Sequence, residues 1–371
     1  MEPKSGLTVS PGHVAGFGTD VGDFTDRFWD LANKTLGSVA LPSGAAGLLA
    51  GLDVSLGGFR DRISDAHQRD REGCYKLSGG LTEAGRAYHG QDQGNAQSLN
   101  IFGLGGAFGG ELDHTAWGGA QYPETPGIGP ADASTRQIVQ WAIATLAPFE
   151  AGLESAAGVK PVADHLEPID CDWGALQPLA AHVDLLGSND QALASNLGGG
   201  AKWLAQHWSG TASQAFTAAS NTRRNSADER GAHMTTVAAV LRKGGQQVEQ
   251  QARNQALALV GDLMRPTTFE GFTLSLGLWG TIIDRQMSES VRAEIRGDLQ
   301  AAHTAAASRH EDILGTMQAV QSALQAESAQ AIPSVGDDGP STRSITGQGR
   351  AGYGFGGYTW MEADRDFRPA A

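Results

Sequence analysis

Apolar residues recur along this chain in steps of three and four, and that recurrence predicts helices. Val14, Phe17, Val21, Phe24, Phe28 and Leu31 draw a single stripe, the period of a helix that buries one face. Ser10-Pro11 marks its start, a capping residue followed by proline where a missing N–H costs nothing. Residues 37–58 are rich in Gly, Ser and small apolar residues and carry Pro42, so they read as a long apex loop. Phe59, Ile63, Ala66, Cys74, Leu77, Leu81, Ala84 and Tyr88 then restore helical spacing as far as about Leu99, with Gly79-Gly80 weakening the middle. The two stretches predict an αα-hairpin whose apolar stripes cannot all be covered by each other, so it calls for a second hairpin.

Residues 103–133 are Gly- and Pro-rich with few periodic apolar positions, and they read as a linker. From Ser134 a new pattern runs through Ile138, Trp141, Ala142, Leu146, Phe149 and Leu153, with Pro148 predicting a kink. The cleanest signal follows. Leu176, Leu179, Val183, Leu186, Leu193, Leu197 and Leu204 fall on heptad a and d positions, interrupted by Asp190 and Gly200. Trp208-Ser209-Gly210 ends that seam, and Gly198-Gly199-Gly200 threatens to break it early. A further helix is predicted from Ala212 through Phe216, Met234, Val237, Leu241 and Val248 to Leu263, closed by Pro266. A last block from Leu278 carries Ile282, Met287, Val291, Ile295, Leu299, Ile313, Met317, Val320 and Leu324.

The expectation is therefore an all-α protein: an elongated bundle of two long helical hairpins with a C-terminal helical block and a disordered tail. In segments, residues 1–102 form the first hairpin, 103–133 the linker, 134–265 the second hairpin, 266–332 the C-terminal block and 333–371 the tail. The tail is Gly-, Ser- and Asp-rich and cannot offset its ordering entropy by burial.

Composition narrows the function classes. A formal net charge of −14 disfavours nucleic acid and anionic membrane surfaces as partners. Cys74 and Cys171 allow at most one bridge, and whether they meet is open. The N-terminus has no charged segment leading into an apolar one, so no Sec signal is expected, and no run of about 18 apolar residues predicts a membrane span.

Two short motifs carry the functional expectation. Tyr88 and Asp92 stand four residues apart, so a phenol and a carboxylate share one helix face as a composite patch. In Trp208-Ser209-Gly210 the glycine permits a tight turn and the indole can pack across a hairpin apex. With Ala212, Ala215 and Phe216 following, the chain resembles the WXG-type family of type VII (ESX) secretion substrates, and more closely the fusion of two such modules in PE/PPE-like substrates. The resemblance covers about residues 7–100 and 134–263. It implies that Tyr88 and Asp92 form an export signal and that Trp208 and Gly210 form the hairpin turn, the two lying near each other at one end of a bundle. It further implies a non-enzymatic protein without cofactors, exported folded to the outside or the cell surface, whose partners are a secretion-machinery ATPase or chaperone.

The match has departures. The first hairpin lacks a Trp-x-Gly turn, no second Tyr-x-x-x-Asp follows the second hairpin, and the C-terminal block has no counterpart in the minimal module. Two other readings stand beside it: a self-associating helical scaffold built on the heptads, and an export module heading a toxin with an unrecognised C-terminal activity. The latter lacks visible chemistry. His303 and His310 are seven apart, a poor metal-ligand spacing, and Asp170 and Asp172 flank Cys171 and disfavour its thiolate. Arg223, Arg224 and Arg230 sit beside Asp228 and Glu229 and read as a solvated helix face.

Overall fold

A computed structural model describes residues 8–43, 45–100, 112–283 and 286–327, with side chains in the first long hairpin described as far as Gly94. Among the described residues the chain is all-α apart from one small hairpin of strands. Helix α1 (Pro11–Leu36) starts at the predicted Ser-Pro pair and buries Val14, Phe17, Val21, Phe24 and Phe28. The apex is shorter than expected: a brief helix α2 (Gly47–Ala50) leads into α3 (Asp53–Asn100), so much of the supposed loop is helical. Leu49, Leu52, Leu56 and Phe59 explain why, since their three-and-four spacing continues the buried face. Helix α3 also runs on past Asp92, which places the Tyr-x-x-x-Asp patch inside the helix rather than at its end.

Helix α4 (Ser134–Leu146) is followed by a turn of 3-10 helix at Pro148 and by α5 (Glu150–Ala157), the expected kink. Trp141 departs from its predicted role, being 43% exposed while Ile138, Val139, Ala142 and Leu146 face inward. A short α6 (Pro161–His165) precedes the second hairpin, α7 (Leu176–Leu204) against α8 (Thr211–Met264). At 1.5 Å per residue α8 extends for about 80 Å, which sets the length of the bundle. The hairpins meet chiefly through α1 on α7, and α4 and the C-terminal helix pack on α8.

Gly198-Gly199-Gly200 does not break α7, because close packing uses the missing side chains. A Cβ on Gly200 would overlap the Phe17 ring of α1, and one on Gly199 would approach the Trp117 ring at 2.8 Å. Trp117 belongs to the segment read as a linker. Its described part, from Leu112 to Ala133, is a non-helical strap hydrogen-bonded along the bundle: Thr115 N donates to Gly12 O (3.0 Å), Trp117 N to Asp20 (2.6 Å) and Gln121 N to Asn196 (2.7 Å).

The C-terminal block also differs from expectation at its start. Strands β1 (Pro266–Phe269) and β2 (Phe272–Ser275) pair antiparallel around Glu270-Gly271, both with positive φ, the backbone that a two-residue hairpin turn requires. Helices α9 (Leu276–Ile282) and α10 (Glu289–Gln325) follow. The tail, residues 333–371, lies outside the described residues.

Among the described residues the core falls into two clusters. The larger joins the apex with α4–α10, and the smaller, around Phe17, Phe24, Leu197, Trp208 and Phe216, fills one end of the two hairpins. Both cysteines are buried and free, Cys74 in the smaller cluster and Cys171 in the larger. No helix among the described residues is long and apolar enough to cross a membrane.

Candidate functional site

The smaller core cluster ends at the turn between α7 and α8, and the sequence motifs converge there. Helix α7 stops at Leu204, and its C-terminal carbonyls are taken up by tight turns through Ala205, Gln206 and His207. Gly210 carries φ 103° and ψ −176°, a region open essentially to glycine alone, and α8 begins at the next residue. Ser213 caps the turn by donating its hydroxyl to Trp208 O at 2.9 Å.

Trp208 is 4% exposed and lies between two rings: Phe216 of α8 at 6.1 Å and Tyr88 of α3 at 6.4 Å, the latter edge-on at 72°. An edge-to-face pair at this separation is favourable by about 0.5–1.5 kcal/mol beyond its buried area. Tyr88 is half-buried by this contact, and Asp92, one turn along α3, is exposed. The structure thus brings Tyr88 and Trp208 together from opposite hairpins, sets Gly210 in the turn beside them, and leaves Asp92 in solvent on the neighbouring turn. The indole Nε1 is buried without a hydrogen-bond partner among the described residues.

Sequence reasoning missed the chain that braces this turn. Val9 forms an antiparallel bridge with Trp208, flanked by Ser10 N donating to His207 O (2.9 Å), Ser209 N donating to Thr8 O (2.8 Å) and Thr8 N donating to the Ser209 hydroxyl (2.9 Å). The segment before α1 is thereby tied to the opposite hairpin. His13 stacks on His207 at 3.9 Å and approaches Trp203 at 5.3 Å, extending the aromatic surface. Burial, then the neighbouring His207, lowers the His13 pKa below its ordinary value. Pairing of an extended tripeptide with a turn about 200 residues away leaves no periodic trace in a sequence.

Other candidates resolve differently. Burial pushes the Cys171 thiol pKa up, with Asp170 adding to it against backbone N–H donors from Leu48 and Leu49, so this cysteine is packed and poorly nucleophilic. Arg230 is not solvated as expected: its side chain is 10% exposed and pairs with Asp190 and Asp70. His303 and His310 meet a third imidazole, His165. Among the described residues no group of three His, Cys, Asp or Glu side chains is placed to hold a metal ion. No protein-family model, curated protein or solved structure matches the chain.

Proposed function

We propose that this protein is a substrate or associated component of a type VII (ESX-type) secretion system, exported folded and acting outside through protein–protein contacts. The observation that carries this reading is the contact between Tyr88 on one hairpin and Trp208 in the turn of the other, with Asp92 exposed one helical turn away. A rigid end of this kind offers a receptor an aromatic surface and a carboxylate at fixed spacing, and preorganisation lowers the ordering cost of docking. The partner is a secretion ATPase or a dedicated chaperone, which would read the end of the bundle while the two hairpins stay packed. The long α7–α8 seam supports transport in the folded state, because its apolar stripe is already covered within the chain.

The test is genetic. In the organism that encodes it, the protein is expected in the culture filtrate or at the cell surface of the wild type and only in the cytosol of a strain lacking the secretion ATPase. Equal extracellular amounts in both strains would reject the proposal, and retention in the cytosol of both would favour a self-associating scaffold.

A further inference from the structure

Helix α10 is held to the bundle in two different ways along its length. Toward its ends it buries Ile295 and Leu299 on one side and Ile313, Met317 and Val320 on the other. Its middle buries only the small apolar residues Ala302 and Ala306 and adds a group of ionisable side chains. His165, the last residue of α6 and 5% exposed, places Nε2 3.0 Å from His303 Nδ1, and its ring lies 4.8 Å from that of His303 and 6.2 Å from that of His310. The Nδ1 atoms of His165 and His310 are buried without partners among the described residues. Next to His310 in the chain, Arg309 is buried, donating its Nε to Gln255 of α8 at 2.8 Å with Asp262 of α8 at 3.5 Å.

We propose that His165, His303 and His310, gathered beside Arg309 where α6 meets α10, form a proton-sensitive latch: acidification favours the state in which the imidazoles of His165 and His310 reach water and take up protons, so α6 is freed from the middle of α10 while the two hairpins stay packed. In the neutral state one imidazole donates to the other across the 3.0 Å contact. A single proton can still be shared there, but it stands close to the Arg309 charge. A second proton leaves two N–H donors facing each other, and the contact is lost.

The groups facing His165 set the direction. Its pKa is lowered to about 4, first by burial, then by His303 and His310; Arg309 adds to this and Asp164 of α6 opposes it. Burial lowers His310 as well. A histidine whose pKa is lowered in the docked state binds fewer protons there than when released. Its contribution to docking is complete above the unperturbed value of 6.5 and is lost as pH falls toward 4. Asp262 runs the other way: burial raises its pKa, so protonating it on acidification favours the folded state. The acid-induced release must therefore come from the histidines.

The experiment is amide hydrogen exchange on the full chain at about pH 7.5 and about pH 5, corrected for the intrinsic rate. For the wild type, protection over residues 161–166 and 300–311 should fall by about tenfold or more at the lower pH, with residues 211–250 unchanged. His165→Gln should remove most of that fall. His303→Gln, at a half-buried position, serves as the second variant should the first not fold, and Asp262→Asn should leave the fall in place. Undiminished protection in the wild type at pH 5, a loss spread evenly over the whole bundle, or an identical loss in a folded His165→Gln or His303→Gln variant would overturn the latch.

Discussion

Asp190, fully buried on α7, holds the Arg230 guanidinium of α8 with both carboxylate oxygens, at 3.0 Å to Nε and 2.5 Å to Nη2. The same Nη2 reaches Asp70 of α3 at 2.5 Å, and His67 of α3 completes the group at 3.2 Å from Asp190. Asp190 is one of the two residues that interrupt the heptad series on α7, and His67 and Asp70 fill the gap in the α3 stripe between Ala66 and Cys74. The breaks in two apolar patterns thus face each other and are satisfied together.

Such a network gives less stability than well-packed apolar residues would, but removing one member leaves an uncompensated buried charge. Arg230→Met is expected to cost about 3–5 kcal/mol by urea denaturation, because Asp190 and Asp70 lose their shared cation. A loss below about 1 kcal/mol would mean that the carboxylates find other partners.

Two glycines in helices should respond oppositely to alanine. Gly80 in α3 has open space where a Cβ would go, so Gly80→Ala should stabilise by about 0.5–1 kcal/mol through helix propensity alone. Gly200→Ala meets the buried Phe17 ring, and the overpacking should outweigh that gain and destabilise by about 1–3 kcal/mol. Thermal midpoints of the two variants check the contrast in sign.

The turn offers a further pair. Gly210→Ala must force a side chain into φ 103°, at an expected cost of about 1–3 kcal/mol. Trp208→Ala empties the space between Tyr88 and Phe216 and should cost about 3–5 kcal/mol, while Trp208→Phe keeps a ring and removes the buried unpartnered N–H, and so should be milder. Equilibrium unfolding ranks the three.

Thiol accessibility is simple to check. The Cys74 pKa is pushed up to about 11, chiefly by burial and then by Asp70, and burial raises that of Cys171 too. Both thiols should stay unmodified by a disulfide reagent near neutral pH in the native protein and react together once it is unfolded, since the thiolate is the attacking species.

These contrasts mark how far the sequence could be read. Helices and their faces were legible wherever apolar residues kept a three-and-four spacing, as in α1, α7 and α8, because burial on one face selects that period. Leu49, Leu52 and Leu56 offered the same signal across the apex, but small residues and Pro42 masked it. The strand pair at Pro266–Ser275 is short and half-exposed, so its only mark was Glu270-Gly271 between Thr- and Phe-containing flanks. The strap over α1 and the bridge from Val9 to Trp208 rest on backbone hydrogen bonds between distant segments, which impose no side-chain pattern. At the site, the Tyr88–Trp208 proximity came from likeness to a family rather than from spacing, because no periodicity links residues on different hairpins.

Under the proposed export role, Tyr88 and Asp92 beside the Trp208 turn form the surface that a secretion receptor reads. Asp92 is exposed, so Asp92→Ala should leave the thermal midpoint and the cytosolic level unchanged, and Tyr88→Phe should keep the contact with Trp208. The decisive measurement is the amount of Asp92→Ala in culture filtrate and in cell lysate. This variant should accumulate in the lysate and be absent from the filtrate; filtrate levels equal to those of the unaltered protein would rule out that role for Asp92.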